Sequence, residues 1–323
     1  MDILEFYKKA LTIRFFEEKV DWLFSRGLLG GTTHLCIGQE ATAVGVVGAL
    51  RQDDYIVSTH RGHGHLIAKG ADITKIFSEL LGKREGYCKG RGGTQHLCVM
   101  ELNFLGTNGI TGGGLPIAAG AALSIKLSGE DRIAVCFFGE GASNQGTFHE
   151  SLNMASIWNL PILFVCENNM YAMSTRFSDI SKFDDVALRA ASFGIPSVII
   201  DGMDAGRVFE NTKKIAEKIR QGGGPALIEA KTYRFCGHSK SDARLYRTRE
   251  EEAAWKQKDP LPKMELKLLE VISQGEIEVI KRSIKASVDD AYEVAVAGED
   301  PGVEEALEGA YAQREDLLPQ GNI

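Results

Sequence analysis

The chain has 323 residues, 44% of them hydrophobic, and its 44 acidic and 37 basic side chains give a formal net charge of −7. That composition supplies a large buried core, and no concentration of basic residues suits a nucleic-acid face. No apolar run approaches the roughly 20 residues of a membrane helix, and Met1-Asp2-Ile3-Leu4-Glu5 lacks the basic and apolar regions of a signal peptide, so a cytoplasmic protein is expected.

In chain order, residues 2–26 read as a helix with an apolar stripe at Leu4, Tyr7, Leu11, Phe15, Val20, Leu23 and Phe24. A glycine-rich break at 27–31 precedes a second helix over 39–50. His60-Arg-Gly-His-Gly-His65 reads as a short polar loop. Residues 72–81 form a helix capped by Asp72 and closed by Gly82. Residues 86–114 are rich in glycine and have no periodicity, a long irregular segment of the kind that carries function. Small apolar residues over 115–127 predict a closely packed buried helix.

The spacing then predicts a buried strand over 133–138, a helix over 147–158 and a second buried strand over 162–166. A helix over 184–193, a strand over 197–200 and a helix over 206–220 follow, the last stopped by Gly222-Gly-Gly-Pro225. A strand over 226–233 leads into Cys236-Gly-His238, and a charged helical tail over 249–313 is punctuated by Pro260 and Pro262. This alternation predicts an α/β fold. Its core is a doubly wound parallel sheet over about 50–240, inside one domain spanning 1–323, with extra N- and C-terminal helices. The six cysteines form no Cys-x-x-Cys pair. Cys136 and Cys166 fall in strands, where a thiol packs as a small hydrophobe, and the dispersed pattern suits a reducing compartment.

The candidate site follows from the topology. A strand–helix–strand unit crosses over right-handed, so the loops after 133–138 and 162–166 leave the sheet at the same carboxyl edge, where open α/β sheets bind ligands. The first loop carries Gly139-Glu140-Gly141 and the second Asn168-Asn169. Glycines let a phosphate approach backbone N–H groups. A carboxylate and a carboxamide suit Mg²⁺, which takes oxygen ligands at about 2.0–2.1 Å. Neither Gly-x-Gly-x-x-Gly nor Gly-Lys-Ser/Thr is present. A diphosphate with its divalent cation is therefore expected between Glu140 and Asn169. His60, His63 and His65 lack a nearby cysteine or carboxylate to complete a transition-metal set and read as a phosphate-facing loop. His149, in a predicted helix, and Cys236, beside the site, read as structural.

These motifs resemble a known family. Phe138-Gly-Glu-Gly-Ala-Ser-Asn-Gln-Gly146 and Cys166-Glu-Asn-Asn-Met-Tyr-Ala-Met173 are similar to the thiamine diphosphate motif of the α subunit of the E1 component of 2-oxo acid dehydrogenase complexes. The likeness extends to Thr33-His-Leu-Cys-Ile-Gly-Gln-Glu40, His60-Arg-Gly-His-Gly64, Tyr87-Cys-Lys-Gly90, Asn108-Gly-Ile-Thr-Gly112, Asp201-Gly-Met-Asp204, Gly237-His-Ser239 and Tyr246-Arg-Thr-Arg249. The resemblance implies a thiamine diphosphate-binding fold. It implies Mg²⁺ held by Glu140, Asn169 and the Tyr171 carbonyl, and a diphosphate held by Gly141, Ala142, Arg61 and His60. It further implies an aminopyrimidine against Gly109 and Thr111, His238 over the diphosphate and reacting carbon, and His34 at the substrate end, with His238 and His34 catalytic.

The motif usually carries Asp where this chain has Glu140, so the following helix start must retreat or the turn relax. Ser239 matches a position phosphorylated in some relatives and reads here as a loop residue. The resemblance implies decarboxylation of pyruvate and transfer of the acetyl group to the lipoyl group of an E2 acyltransferase. The region of His60 looks more like acetoin dehydrogenase α subunits, and branched-chain E1 is a further alternative. The glutamate that activates the cofactor ring belongs, in this family, to a β subunit, which implies an α2β2 heterotetramer. From other classes, a nicotinamide-dependent oxidoreductase and a cofactor-free scaffold are the competing readings.

Overall fold

The computed structural model describes residues 2–307. Its strands are β1 (Tyr55–Val57), β2 (Phe104–Gly106), β3 (Ala134–Gly139), β4 (Ile162–Asn168), β5 (Tyr171–Ala172), β6 (Thr175–Arg176), β7 (Ser197–Asp201) and β8 (Ala226–Lys231). Six of them form one parallel sheet in the order β2-β1-β3-β4-β8-β7, while β5 and β6 make a separate two-stranded ribbon. β3 and β4 run in register from Ala134↔Ile162 to Gly139↔Glu167. Their last residues therefore reach the same edge side by side.

Successive side chains of a strand point to opposite faces, and two apolar clusters divide along that alternation. Ile56, Val135, Phe137, Leu163, Val165 and Ile228 join the larger cluster. That cluster takes in the helices Ile3–Ser25, Glu40–Gly48, Ala205–Lys218, Pro260–Leu268 and Gln274–Val296. Val57, Cys136, Phe138, Ile162, Phe164 and Cys166 join the second cluster with the helices Gly114–Ser128 and Gly146–Ile157. Burial on both faces explains why β3 and β4 read as unbroken apolar runs. Among the described residues no helix is long and apolar enough to cross a membrane.

Several expectations change. β1 and β2 are absent from the sequence reading, because three residues cannot display a period of two; β2 lies inside the stretch read as irregular. The polar loop over 60–65 becomes helical midway, at His63–Ala68. The helix expected over 184–193 shortens to Ala187–Ala190 with a 3₁₀ turn at Ala191–Phe193. After β3 the chain makes a 3₁₀ turn, Glu140–Asn144, and the α-helix starts only at Gly146. The tail resolves into Arg249–Lys256, Pro260–Leu268 and Gln274–Val296, the last opened by a capping box at Ser273 and Glu276. The remainder of the expected tail, 308–313, lies outside the described residues.

Candidate active site

Four neighbouring strand ends supply the site. Ser58 to Arg61 follow β1, the 3₁₀ turn follows β3, Asn169 follows β4, and Arg234 and His238 follow β8. They line a cavity of about 300 Å³ that also takes in Thr111, Gly141, Ala142, Tyr171 and Glu167.

Glu140 is 1% exposed. Its Oε2 accepts a hydrogen bond from the Asn169 backbone N–H at 3.0 Å. Burial raises its pKa, since the charged form loses water, although the Asn169 N–H opposes the shift. Of the two asparagines only Asn169 serves the site. Asn168 is held in the turn, donating to Glu229 Oε1 at 2.6 Å and accepting from Met170 N–H at 3.0 Å. Met170 and Met173 take left-handed φ values of 70° and 53°. These bends fold the β5–β6 ribbon back so that the Tyr171 carbonyl faces the strand ends.

A residue absent from the sequence reading dominates this corner. Arg234 is completely buried. Its Nε donates to Asn169 Oδ1 at 2.8 Å, and one Nη donates to the Tyr171 and Met173 carbonyls at 3.2 and 3.1 Å. The other Nη has no partner. Two of the three oxygens expected to hold a metal are thus already turned toward a cation. The only sequence signal was position: an arginine just past a strand's carboxyl end.

Arg61 joins three segments. It donates to the Leu35 carbonyl at 2.8 Å, to His238 Nδ1 at 3.1 Å and to the His238 carbonyl. Burial and the Arg234 charge lower its pKa to about 9. His34, His60 and His238 cluster beside it, with ring centroids 4.6, 5.0 and 5.6 Å apart. Burial first, then Arg61, lowers their pKa values to about 4, 2 and 3 respectively. All three are therefore neutral at pH 7.

The other candidates divide. Thr111 lines the cavity, whereas Gly109 is not among its lining residues. A Cβ on Gly141 would meet the Ala172 Cβ at 2.7 Å, so that close approach needs glycine, whereas one on Gly109 would meet only the movable Gln95 Oε1 at 2.9 Å. Of the stretch 60–65, read as a phosphate-facing loop, only His60 and Arg61 line the cavity. His63 turns inward to Glu17 Oε1 at 3.0 Å and Thr94 Oγ1 at 2.8 Å. His65 bonds Ser58 Oγ at 2.8 Å and stacks on Phe137 at 3.7 Å. Cys236 remains a thiol, because burial pushes its pKa up to about 11.

The glycine-rich segment is organised by Glu79, a second residue the sequence did not flag. Its carboxylate is fully buried and accepts the backbone N–H groups of Cys88, Gly90, Gly92 and Gly93 at 2.6–3.1 Å. The loop then carries Thr94 to His63 and Gln95 to the Thr32 carbonyl, two residues before His34.

Residues 8–304 match the family described as "Dehydrogenase E1 component". The α subunit of acetoin:2,6-dichlorophenolindophenol oxidoreductase from Bacillus subtilis (strain 168) is 43% identical over 310 residues, covering 96% of this chain and 93% of that protein. The α subunit of the same name from Cupriavidus necator is 43% identical over 312 residues, covering 96% and 94%. The pyruvate dehydrogenase E1 component subunit alpha of Porphyra purpurea is 38% identical over 319 residues, covering 96% and 93%.

Proposed function

This chain belongs to the Dehydrogenase E1 component family, and from that premise we propose that it is the α subunit of a thiamine diphosphate-dependent enzyme that takes a two-carbon acetyl unit from a small oxo substrate. The observation that carries the site assignment is the convergence of Glu140, Asn169 and the Tyr171 carbonyl at one cavity with Gly141, Ala142 and Arg61. These residues fit the cofactor. Glu140 is a buried carboxylate with no cation of its own, and the Asn169 and Tyr171 oxygens already accept from a guanidinium. The donor set is all oxygen, as Mg²⁺ requires.

Glu140, Asn169 and Tyr171 would hold the metal, and the N–H groups of Gly141 and Ala142, with Arg61 and His60, the diphosphate. Thr111 and the turn through Gly109 would meet the pyrimidine. Bound there, thiamine diphosphate supplies a nucleophilic carbon and an electron sink. The residues of the chain orient it and handle protons. His238 and His34, both neutral, accept a proton from the reacting substrate, and a bound anion would raise their pKa values toward neutrality. Arg61 fixes the His238 ring and main chain together.

The cavity's acids are Glu140 and Glu167, and Glu167 faces His65 at 3.4 Å. Among the described residues the cavity offers no third carboxylate for the cofactor ring. This supports a β subunit as donor of that group in an α2β2 assembly, with a lipoyl-bearing acyltransferase as acceptor. We place the whole chain, as one domain, in the cytoplasm.

Pyruvate and acetoin both yield an acetyl unit. The greater identity of the acetoin-named subunits, 43% against 38%, favours acetoin. The segments around His238 and Tyr246 favour pyruvate. The test is to co-purify the chain with its β subunit and measure thiamine diphosphate binding by calorimetry with and without Mg²⁺, then turnover of pyruvate, acetoin and branched-chain 2-oxo acids. Mg²⁺-dependent binding with turnover of one acetyl donor is expected. Absence of Mg²⁺-dependent binding overturns the assignment, and a preference for branched acids overturns the substrate class.

A further inference from the structure

We infer that Cys88 and Cys98 are a reversible disulfide pair, oxidised by small disulfides of the glutathione class, that staples the glycine-rich segment held by Glu79. Of the six cysteines, Cys36, Cys136 and Cys166 are buried, while Cys88, Cys98 and Cys236 are half-buried. The Cys88 sulfur accepts the Cys98 backbone N–H at 3.3 Å and donates to the Cys98 and His96 carbonyls at 3.6 and 3.5 Å. Among the described residues, no other cysteine sulfur bonds to a second cysteine.

Both halves of the pair are anchored. The Cys88 backbone N–H donates to the buried Glu79 Oε2 at 2.7 Å. Leu97 and Val99 sink into the larger apolar cluster and leave Cys98 between them half-buried, as alternation along an extended chain requires. The amide nitrogen and Cβ of one residue are about 2.5 Å apart. The Cys88 sulfur therefore moves by only about 2 Å to bond at the Cys98 side chain instead of its N–H. The ring 88–98 then encloses Gly90, Gly92 and Gly93, whose N–H groups Glu79 binds, and Thr94 and Gln95, which reach His63 and Thr32. Such a cross-link restricts the unfolded chain and holds the nest together when the Glu79 contacts open.

The chemistry is thiol–disulfide exchange. Burial raises both thiol pKa values, so each thiol reacts slowly at neutral pH. The Cys98 N–H opposes the shift at Cys88 by stabilising a thiolate there, which makes Cys88 the attacking sulfur. Its thiolate bonds to one sulfur of the small disulfide, whose S–S bond breaks. One small thiolate leaves with the electron pair and takes a proton from water. Cys98 loses its proton to solvent and displaces the second small thiol from Cys88. Two protein thiols are oxidised, and one external disulfide is reduced to two thiols. The second step joins two anchored groups within one chain, so it outruns attack by further external thiol. A transient disulfide of this kind is compatible with a reducing compartment. The pair stands independently of the thiamine diphosphate assignment.

Oxidised glutathione is the probe. The reduced full-length chain is incubated with it at pH 8, quenched with acid, alkylated at its free thiols and digested with trypsin without reductant. The intact chain is expected to lose the mass of two hydrogens. The digest is expected to contain peptide 85–89 joined to peptide 92–126, and dithiothreitol separates them. The oxidised chain melts at least about 2 °C above the reduced one. Cys88→Ser and Cys98→Ser, each checked for folding by circular dichroism, lose both the joined peptides and the melting shift. A glutathione adduct that never closes to the ring overturns the inference, as do an unchanged mass and a bridge that includes Cys236. An unchanged or lowered melting temperature of the oxidised chain overturns the staple. If neither serine variant folds, the joined wild-type peptides decide.

Discussion

Arg234 shows how much one side chain contributes to this site. Its guanidinium ties Asn169, Tyr171 and Met173 to the end of β8 through three hydrogen bonds. Burial lowers its pKa, helped by the Arg247 charge, yet the oxygens around it keep it useful as a charged donor. Arg234→Met removes all three bonds. It is expected to lower stability by about 2–3 kcal/mol and to weaken Mg²⁺-dependent cofactor binding about tenfold or more, as losses of groups that orient metal ligands do. Arg234→Lys recovers part of the affinity, since an ammonium cannot span the planar fork's contacts. Urea denaturation and calorimetry read the two effects separately; unchanged binding in Arg234→Met would show that Asn169 and Tyr171 are held without it.

Short connecting elements, more than the regular ones, shape the cavity. The 3₁₀ turn Glu140–Asn144 separates β3 from its helix, so Gly141 and Ala142 present their N–H groups from a tight turn before the α-helix begins. The segment held by Glu79 is a comparable device: a side-chain carboxylate takes the place of a bound anion in a nest of backbone N–H groups. Glu79→Ala leaves that nest empty. Loss of about 3 kcal/mol or more and rapid trypsin cleavage near Arg84 and Arg91 are expected. Formate or acetate at high concentration then slows cleavage and raises the melting temperature, whereas chloride does not. Failure of carboxylate rescue, with cleavage unchanged from the wild type, would remove Glu79 from this role.

At the level of the whole molecule, two apolar layers enclose the sheet, while Ile117, Leu127, Met154 and Ile157 remain exposed on the helices of the smaller layer, with Trp158 just past the end of the second. The three clustered histidines, His34 buried and His60 and His238 half-buried, also couple folding to pH. Their pKa values of about 4, 2 and 3 lie below the ordinary imidazole value of 6.5. The unfolded chain therefore takes up protons below pH 6.5 that the folded chain refuses, and stability falls as pH drops. Each histidine contributes a loss of about 1 kcal/mol at pH 5.5 relative to pH 7.5. Denaturant melts at the two pH values are expected to differ less in His60→Gln than in the wild type; an identical difference would mean that His60 titrates normally in the folded state.

The long elements and both halves of the corner between Glu140 and Asn169 were legible in the amino-acid order, because each is written locally. An apolar run marks β3 and β4, a glycine pair brackets Glu140, and an asparagine pair ends the next strand. β1 and β2 were not, since three residues carry too little pattern. The roles of Arg234 and Glu79 depend on partners far along the chain, 61–65 residues away for Arg234. The inward turn of His63 and His65 depends on Glu17 and Ser58. Local sequence sets which elements form and where they end. Which buried polar group meets which is decided only when packing brings distant segments together and each must find a hydrogen-bond partner.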